Sequence, residues 1–183
     1  MGNFITLDIE LKPIRSFLKT VLDAVDSEYL RIKEKSDAGE YKHFEDKGNA
    51  LYTPMMWEEI AFRAVLGELN ALVEWELQIL ASKNDKSLKE KPGKSVFELK
   101  FSDIIKLIER NYKIKITEVE SYIAIKRIRE KINSFKHRKG FKKPLQGGAI
   151  TLDKFTVDRK EAFQNIESVR SFLRDLWSKT KDN

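Results

Sequence analysis

The sequence predicts an all-α protein, a single-domain up-and-down helical bundle of about five helices. Apolar residues recur at steps of three and four along most of the chain, and only eight Gly and four Pro interrupt it. The composition, 41% hydrophobic and 35% charged, is typical of a helical globular protein with a charged surface. At 183 residues the chain is long enough to bury a core, so we expect one domain spanning residues 1–183.

The first helix is predicted to follow a short N-terminal segment. Apolar residues alternate with polar ones at Ile5, Leu7, Ile9 and Leu11. This alternation allows a short extended arm at residues 1–12. Pro13 suits the first turn of a helix, which places the first helix at about 13–35. The polar stretch 36–53 contains two glycines and is predicted to be a loop.

The second helix is predicted at about 54–82, with Thr53 as its cap and Pro54 at its first position. Apolar residues cover most of its circumference, which favours a central place in the bundle or in a dimer interface. Its acids are Glu58, Glu59, Glu68, Glu74 and Glu76. A di-metal carboxylate site would need Glu-x-x-His pairs on facing helices, and the sequence has none. We therefore expect these acids to be solvated or paired with basic helices.

Three more helices are predicted in the second half of the chain. A short one at about 102–111 begins at Ser102 and Asp103. Thr117 and Glu120 are spaced as a capping box, which predicts a helix at about 117–138. A closing helix at about 158–179 follows a stretch broken by glycine and proline.

The helix at 117–138 carries two distinct stripes. Its apolar stripe consists of Ile125, Ile128, Ile132 and Phe135. On another face Arg129, Asn133 and His137 are spaced by four and therefore lie one above the next. A cation, an amide and an imidazole on one stripe indicate a surface that handles phosphate groups.

The positive charge is concentrated beside this stripe. The chain has a net charge of +6, and residues 126–143 hold nine Lys or Arg against one acid. A local basic patch indicates a polyanion partner. The residues predicted to bind it are Arg127, Lys136, Arg138, Lys139, Lys142 and Lys143. The alternative is that these cations solvate an exposed helix end and complement its dipole.

The segment from Arg129 to His137, followed by Arg-Lys-Gly, resembles the signature helix of the HEPN superfamily. These all-α domains include RNA-cleaving toxins and defence proteins, and also inactive nucleotide- or RNA-binding relatives. The family pattern is an Arg, often followed by a polar residue, and then a His after four to six intervening residues. Asn133 and His137 match the second half of the pattern. The three positions where the family places its Arg hold Glu130, Lys131 and Ile132.

The resemblance implies a metal-independent endoribonuclease of toxin or defence type. In such enzymes the Arg and His of two subunits meet at a dimer cleft, and attack by the ribose 2′-hydroxyl leaves a 2′,3′-cyclic phosphate. The predicted catalytic residues are His137 as base or acid, Asn133 to orient the ribose or the imidazole, and Arg129 to hold phosphate. The implied partners are RNA, a second copy of the chain and a cognate antitoxin protein.

Arg129 and His137 are two helical turns apart, roughly 12 Å along the axis. The guanidinium therefore cannot comfortably reach the imidazole of its own helix. Two such helices packed antiparallel would place Arg129 of one chain beside His137 of the other. Any catalytic role for Arg129 is therefore expected to require a homodimer.

Two alternatives remain open at this stage. The displaced Arg favours a catalytically inactive HEPN-like module that binds RNA, a nucleotide or a protein. In a purely structural interpretation, Asn133 forms a hydrogen bond across a helix interface and His137 caps the carbonyls at its own helix end.

The composition also limits which covalent links, metal sites and locations are expected. The absence of cysteine excludes disulfides and thiolate metal sites and favours a cytoplasmic location. Two histidines are too few for a His-rich metal site, so neither a metal nor a cofactor is expected. No apolar run approaches the length of a membrane span.

Overall fold

A computed structural model describes residues 4–83, 98–138 and 156–181 of the chain. Within these ranges it contains five α-helices and no strand, which confirms the predicted all-α bundle. The helices are α1 (Phe4–Asp37), α2 (Phe44–Lys83), α3 (Phe101–Tyr112), α4 (Tyr122–Arg138) and α5 (Arg159–Lys181). A 3-10 turn at Ile116–Glu118 lies between α3 and α4.

Helix α2 is the centre of the bundle, because it packs against each of the other four helices. Helix α5 also packs against α1 and α4. The core is formed by fully buried side chains from all five helices, among them Leu18, Leu69, Ile108, Ile128 and Phe172. The central position of α2 explains why its apolar residues cover so much of its circumference.

The predicted extended arm at residues 1–12 is wrong, because α1 begins at Phe4 and continues through Pro13. Leu7 and Leu11 are buried, whereas Ile9 is 61% exposed. These two leucines are four residues apart, so they share a helical face as well as a strand face. The packing of Leu7 and Leu11 into the core stabilises the helix, although Pro13 has no backbone N–H to donate to it.

The predicted start of the second helix at Pro54 is also wrong. Helix α2 begins at Phe44, and Pro54 is a buried residue in its interior. Glu45 and Asp46 lie in the first turn, where carboxylates complement the helix dipole. The Asp46 carboxylate also accepts a hydrogen bond from the backbone N–H of His43, at 3.3 Å. Much of the predicted loop 36–53 is therefore helical.

The turn between α1 and α2 depends on a glycine. Gly39 has φ +72°, in the left-handed region that favours glycine, and its N–H donates to the carbonyl of Ser36 at 3.1 Å. The N–H of Glu40 donates to the carbonyl of Lys35 at 3.0 Å. These hydrogen bonds satisfy carbonyls at the end of α1 and allow α2 to pack along it.

The predicted capping box of Thr117 and Glu120 does not form. Thr117 belongs to the 3-10 turn, and the N–H of Glu120 donates to the Asp175 carboxylate of α5 at 2.8 Å. The chain then passes through Ser121 at φ +60° before α4 starts. Helix α4 therefore begins five residues later than the predicted start at 117.

The two remaining helix boundaries lie close to their predictions. Helix α3 begins at Phe101, and its cap residue Lys100 makes no side-chain capping hydrogen bond. Asp158 precedes α5, and its carboxylate accepts from the N–H of Glu161 at 2.7 Å, as an N-cap residue does. Over the described ranges, every helix falls short of the combined length and hydropathy of a membrane-spanning segment.

Candidate nucleic-acid interface

The apolar stripe of α4 fixes the orientation of the whole helix. Ile125, Ile128 and Ile132 are buried, and Phe135 is partly buried against the same core. The guanidinium of Arg63 on α2 covers the Phe135 ring, 5.5 Å from its centroid. The apolar stripe is therefore confirmed, and the polar stripe of the same helix lies away from this buried side.

Arg129 is bound to the rest of the fold. Its guanidinium donates a hydrogen bond to the carboxylate of Glu74 on α2 and lies over the ring of Phe101 on α3, 4.1 Å from the centroid. The Arg129 side chain is 27% exposed, and this partial burial lowers its pKa below the usual value of an arginine. Arg129 thus connects α4 to α2 and α3 through an ion pair and a cation–π contact.

His137 and Asn133 lie one turn apart near the C-terminal end of α4. His137 is exposed and Asn133 is half-buried. Lys136, next to His137 in the chain, is also exposed. Since α4 is continuous from Tyr122 to Arg138, Arg129 is two turns from His137, roughly 12 Å along the axis. The helix brings Asn133 and His137 together and holds Arg129 apart.

The three positions where a HEPN signature would carry its Arg offer no available cation. Glu130 is an exposed acid, and Ile132 is a core residue. Lys131 is only 8% exposed; its ammonium donates to the Glu161 carboxylate at 2.6 Å and to the Thr156 carbonyl at 2.8 Å. A buried lysine held by two acceptors is a structural element of the α4–α5 contact.

The exposed cations of α4 are Lys126, Arg127 and Lys136. None of them forms an ion pair within the part of the chain that the structure describes. Lys139, Lys142 and Lys143, predicted to bind RNA, lie outside the described residues, as does the side chain of Arg138. Arg127 lines a groove between α4 and α5 and lies about 80° around the helix axis from His137.

The acids of α2 include the predicted ion-pair partners. Glu58 accepts from Arg159 at 2.6 Å, Glu59 accepts from Arg63 at 2.5 Å, and Glu74 accepts from Arg129. In the described ranges no three His, Asp or Glu side chains gather closely enough to bind a metal ion. Glu58 and Glu74 therefore hold α5 and α4 against α2 by charge pairing, whereas the Glu59–Arg63 pair lies within α2.

The groove between α4 and α5 is a feature that the sequence analysis missed. It has a volume of about 770 Å³ and contains the buried Asn165. The available signal was an amide among the apolar positions Ala162, Ile166 and Val169 of α5.

Comparison with models of known protein families, with curated protein sequences and with solved structures finds no match to this chain.

Proposed function

We propose that this chain is a HEPN-like helical domain that binds RNA along the exposed face of α4, from Lys126 to His137. The observation that carries the proposal is that some cations of α4 are paired with acids and others are not. Arg129 and Lys131 are held by acids of the fold, whereas Lys126 and Lys136 are exposed and form no ion pair with any described residue. Unpaired exposed cations can replace the counterions of a nucleic acid, which drives its binding.

The face between the two lysines suits a single strand. Lys126 and Lys136 are ten residues apart, roughly 15 Å along the helix, which a few phosphates of one strand can follow. Asn133 and His137 lie on the same part of α4 and can form hydrogen bonds with ribose hydroxyls or base edges. Phosphate contacts would position the strand, and these two side chains would contact its sugars or bases.

The experiment is fluorescence anisotropy with a labelled single-stranded RNA of mixed sequence. The double variant Lys126→Gln/Lys136→Gln is expected to bind at least about tenfold more weakly than wild type. The control is Lys12→Gln/Lys19→Gln, which removes the same charge from exposed positions of α1. The control is expected to change affinity by no more than about twofold, since only long-range attraction is lost. Equal losses in both variants, or no binding by wild type, would contradict the proposal.

A second candidate function is the metal-independent endoribonuclease implied by the resemblance. The observation that favours it is the exposed imidazole of His137, one turn from the Asn133 amide. In that reaction His137 would take the proton of the 2′-hydroxyl, and the 2′-oxygen would attack the adjacent phosphorus. The 5′-oxygen would leave with a proton from an acid, while a cation stabilises the phosphorane. Arg129 is held by Glu74 and lies two turns from His137, so a catalytic role for Arg129 needs a homodimer in which Arg129 leaves Glu74 and reaches His137 of the other chain. In a single chain the cation would be the exposed Lys136.

Cleavage is tested by incubating RNA with the protein in a metal chelator and assaying for 2′,3′-cyclic phosphate ends. The ribonuclease predicts such ends with wild type and their loss with His137→Ala and His137→Gln. Binding without cleavage supports the RNA-binding module and excludes the ribonuclease. Cleavage that persists in both His137 variants would point to a contaminating nuclease.

A further inference from the structure

The groove between α4 and α5 has the size and shape of a small-molecule site. Its volume of about 770 Å³ is within the range of ligand pockets. Its walls combine Ser121, just before α4, with serine hydroxyls, two amides and a phenylalanine ring of α5, and Arg15 of α1 also lines it. On α4, its lining residues Ala124, Arg127 and Lys131 lie about 80–180° around the helix axis from Asn133 and His137. The groove is thus beside the proposed RNA-binding face, and Lys126, Asn133, Lys136 and His137 are not part of its lining.

Asn165 is the observation that points to a ligand. Its side chain is only 7% exposed and lines the groove, and its Nδ2 has no hydrogen-bond partner among the described residues. Burying an amide donor without a partner destabilises the fold, so such a group in a folded protein calls for an explanation. A ligand acceptor in the groove would satisfy this donor.

The charges of the groove determine where an anion would lie. Arg127 of α4 and Lys160 of α5 are exposed lining residues, and neither forms an ion pair with a described residue. The other two lining cations are already paired, the buried Lys131 with Glu161 at 2.6 Å and the exposed Arg15 with Glu167 at 2.7 Å. The unpaired cations therefore favour an anionic group beside Arg127 and Lys160.

The remaining lining of the groove suits an organic group rich in hydroxyls. Ser121 and Ser168 can donate or accept hydrogen bonds there, and the carboxylates of Glu161 and Glu167 can accept them. Phe163 offers a ring face, and Arg15 lies over it, 5.9 Å from the centroid. A sugar or nucleoside fits this combination of acceptors, hydroxyls and aromatic surface.

We infer that the α4–α5 groove binds a small phosphomonoester, with its phosphate between Arg127 and Lys160 and its hydroxylated part against Asn165. A sugar phosphate and a nucleoside monophosphate share this chemistry. The site does not depend on RNA binding by Lys126, Asn133, Lys136 and His137.

Isothermal titration calorimetry tests the site with three probes: adenosine monophosphate, glucose 6-phosphate and inorganic phosphate. Wild type is expected to bind at least one of the two organic phosphates at least tenfold more tightly than inorganic phosphate. The organic phosphate that binds more tightly shows whether the ligand is a nucleoside monophosphate or a sugar phosphate. Equal affinity for all three probes, or no binding of either organic phosphate, would overturn the inference.

One double variant tests the two unpaired cations of the groove, and a second double variant is the control for the loss of charge. Arg127→Gln/Lys160→Gln is expected to weaken organic phosphate binding at least about tenfold, since charged hydrogen bonds are lost. Lys19→Gln/Lys106→Gln removes the same charge from exposed positions outside the groove and is expected to leave affinity within about twofold. A loss of equal size in the control would overturn the inference.

The Asn165→Leu variant distinguishes a ligand-binding amide from a purely structural one. Removing an unpaired buried donor is expected to raise the melting temperature by about 2–6 °C, while organic phosphate binding falls at least about tenfold. A melting temperature that falls, or binding that survives in this variant, would overturn the role of Asn165.

Discussion

Arg129 of α4 forms its ion pair with Glu74 of α2, 55 positions earlier in the chain. This contact gives Arg129, a predicted catalytic residue of the polar stripe, a structural role. A guanidinium that is partly buried, paired with a carboxylate and stacked on Phe101 stabilises the meeting point of three helices. What remains for nucleic-acid chemistry on this face is the histidine, the amide and the exposed lysines.

The Arg129–Glu74 pair is expected to be energetically coupled. Arg129→Ala should lower the free energy of unfolding by about 1–2 kcal/mol, because it removes both the ion pair and the stacking on Phe101. With Glu74→Ala it should give a coupling energy of about 1 kcal/mol in a double-mutant cycle. Urea denaturation of the four proteins measures this. Simple additivity of the two substitutions would contradict the Arg129–Glu74 ion pair.

Lys131 is expected to matter for stability more than any exposed lysine of α4. Lys131→Ala should cost about 2 kcal/mol, because the Glu161 carboxylate and the Thr156 carbonyl both lose their donor. The matched control is Lys126→Ala on the same helix, where an exposed side chain is removed and the change should stay within about 0.5 kcal/mol. Chemical denaturation compares them, and similar losses in both would contradict the buried ion pair.

Glu76 of α2 is expected to reduce stability as the pH rises. Burial raises the pKa of Glu76 above 4.5; the Glu10 carboxylate raises it further, whereas the Trp177 hydrogen bond and Lys83 oppose the shift. A carboxyl with a raised folded-state pKa binds its proton more tightly when folded. Its contribution to stability is therefore present below about pH 4.5 and is lost as the pH rises through the folded-state pKa.

Glu76→Gln removes this ionisation while keeping an acceptor for Trp177. The variant should be more stable than wild type at pH 7, by less than about 1 kcal/mol, and the difference should vanish near pH 4. Melting temperatures across this pH range measure it. The matched control is Glu68→Gln, at an exposed position of α2. A gain at pH 7 that persisted unchanged to pH 4 would rule out the ionisation of Glu76 as its cause.

Pro13 is expected to weaken α1. The residue is exposed inside the helix, and it leaves the carbonyl of Ile9 without its usual donor. Pro13→Ala should raise the free energy of unfolding by about 1–2 kcal/mol, since it restores that hydrogen bond. Pro54→Ala should gain less, because Pro54 is buried and its replacement loses packing. A loss of stability in Pro13→Ala would mean that α1 requires the proline ring.

The sequence was sufficient for the fold class but not for the helix boundaries. Spacings of three and four identified the helices, since Leu69, Ile128 and Phe172 do lie on buried faces. The predicted helix boundaries were wrong where a tertiary contact outweighed a local sequence rule. Proline rules placed helix starts at Pro13 and Pro54, but packing of Leu7 and Leu11 and the favourable start at Phe44 extended both helices past them.

The candidate site was predictable only in its local geometry. A spacing of four is enough to place Asn133 and His137 on one face, because it depends on a single helix. The partners of Arg129 and Lys131 are 55 and 30 positions away in the chain, so no local pattern could identify them. The α4–α5 groove was missed for the same reason, since its walls come from separate helices.

The salt dependence of RNA binding tests the central proposal most directly. For single strands, the logarithm of the association constant falls with the logarithm of salt concentration by about 0.7 for each phosphate contacted. If Lys126 and Lys136 each contact a phosphate, Lys126→Gln/Lys136→Gln should have a slope about 1.4 shallower than wild type, whereas Lys12→Gln/Lys19→Gln should keep the wild-type slope. Identical slopes for wild type and the α4 double variant would contradict the assignment of this face to RNA.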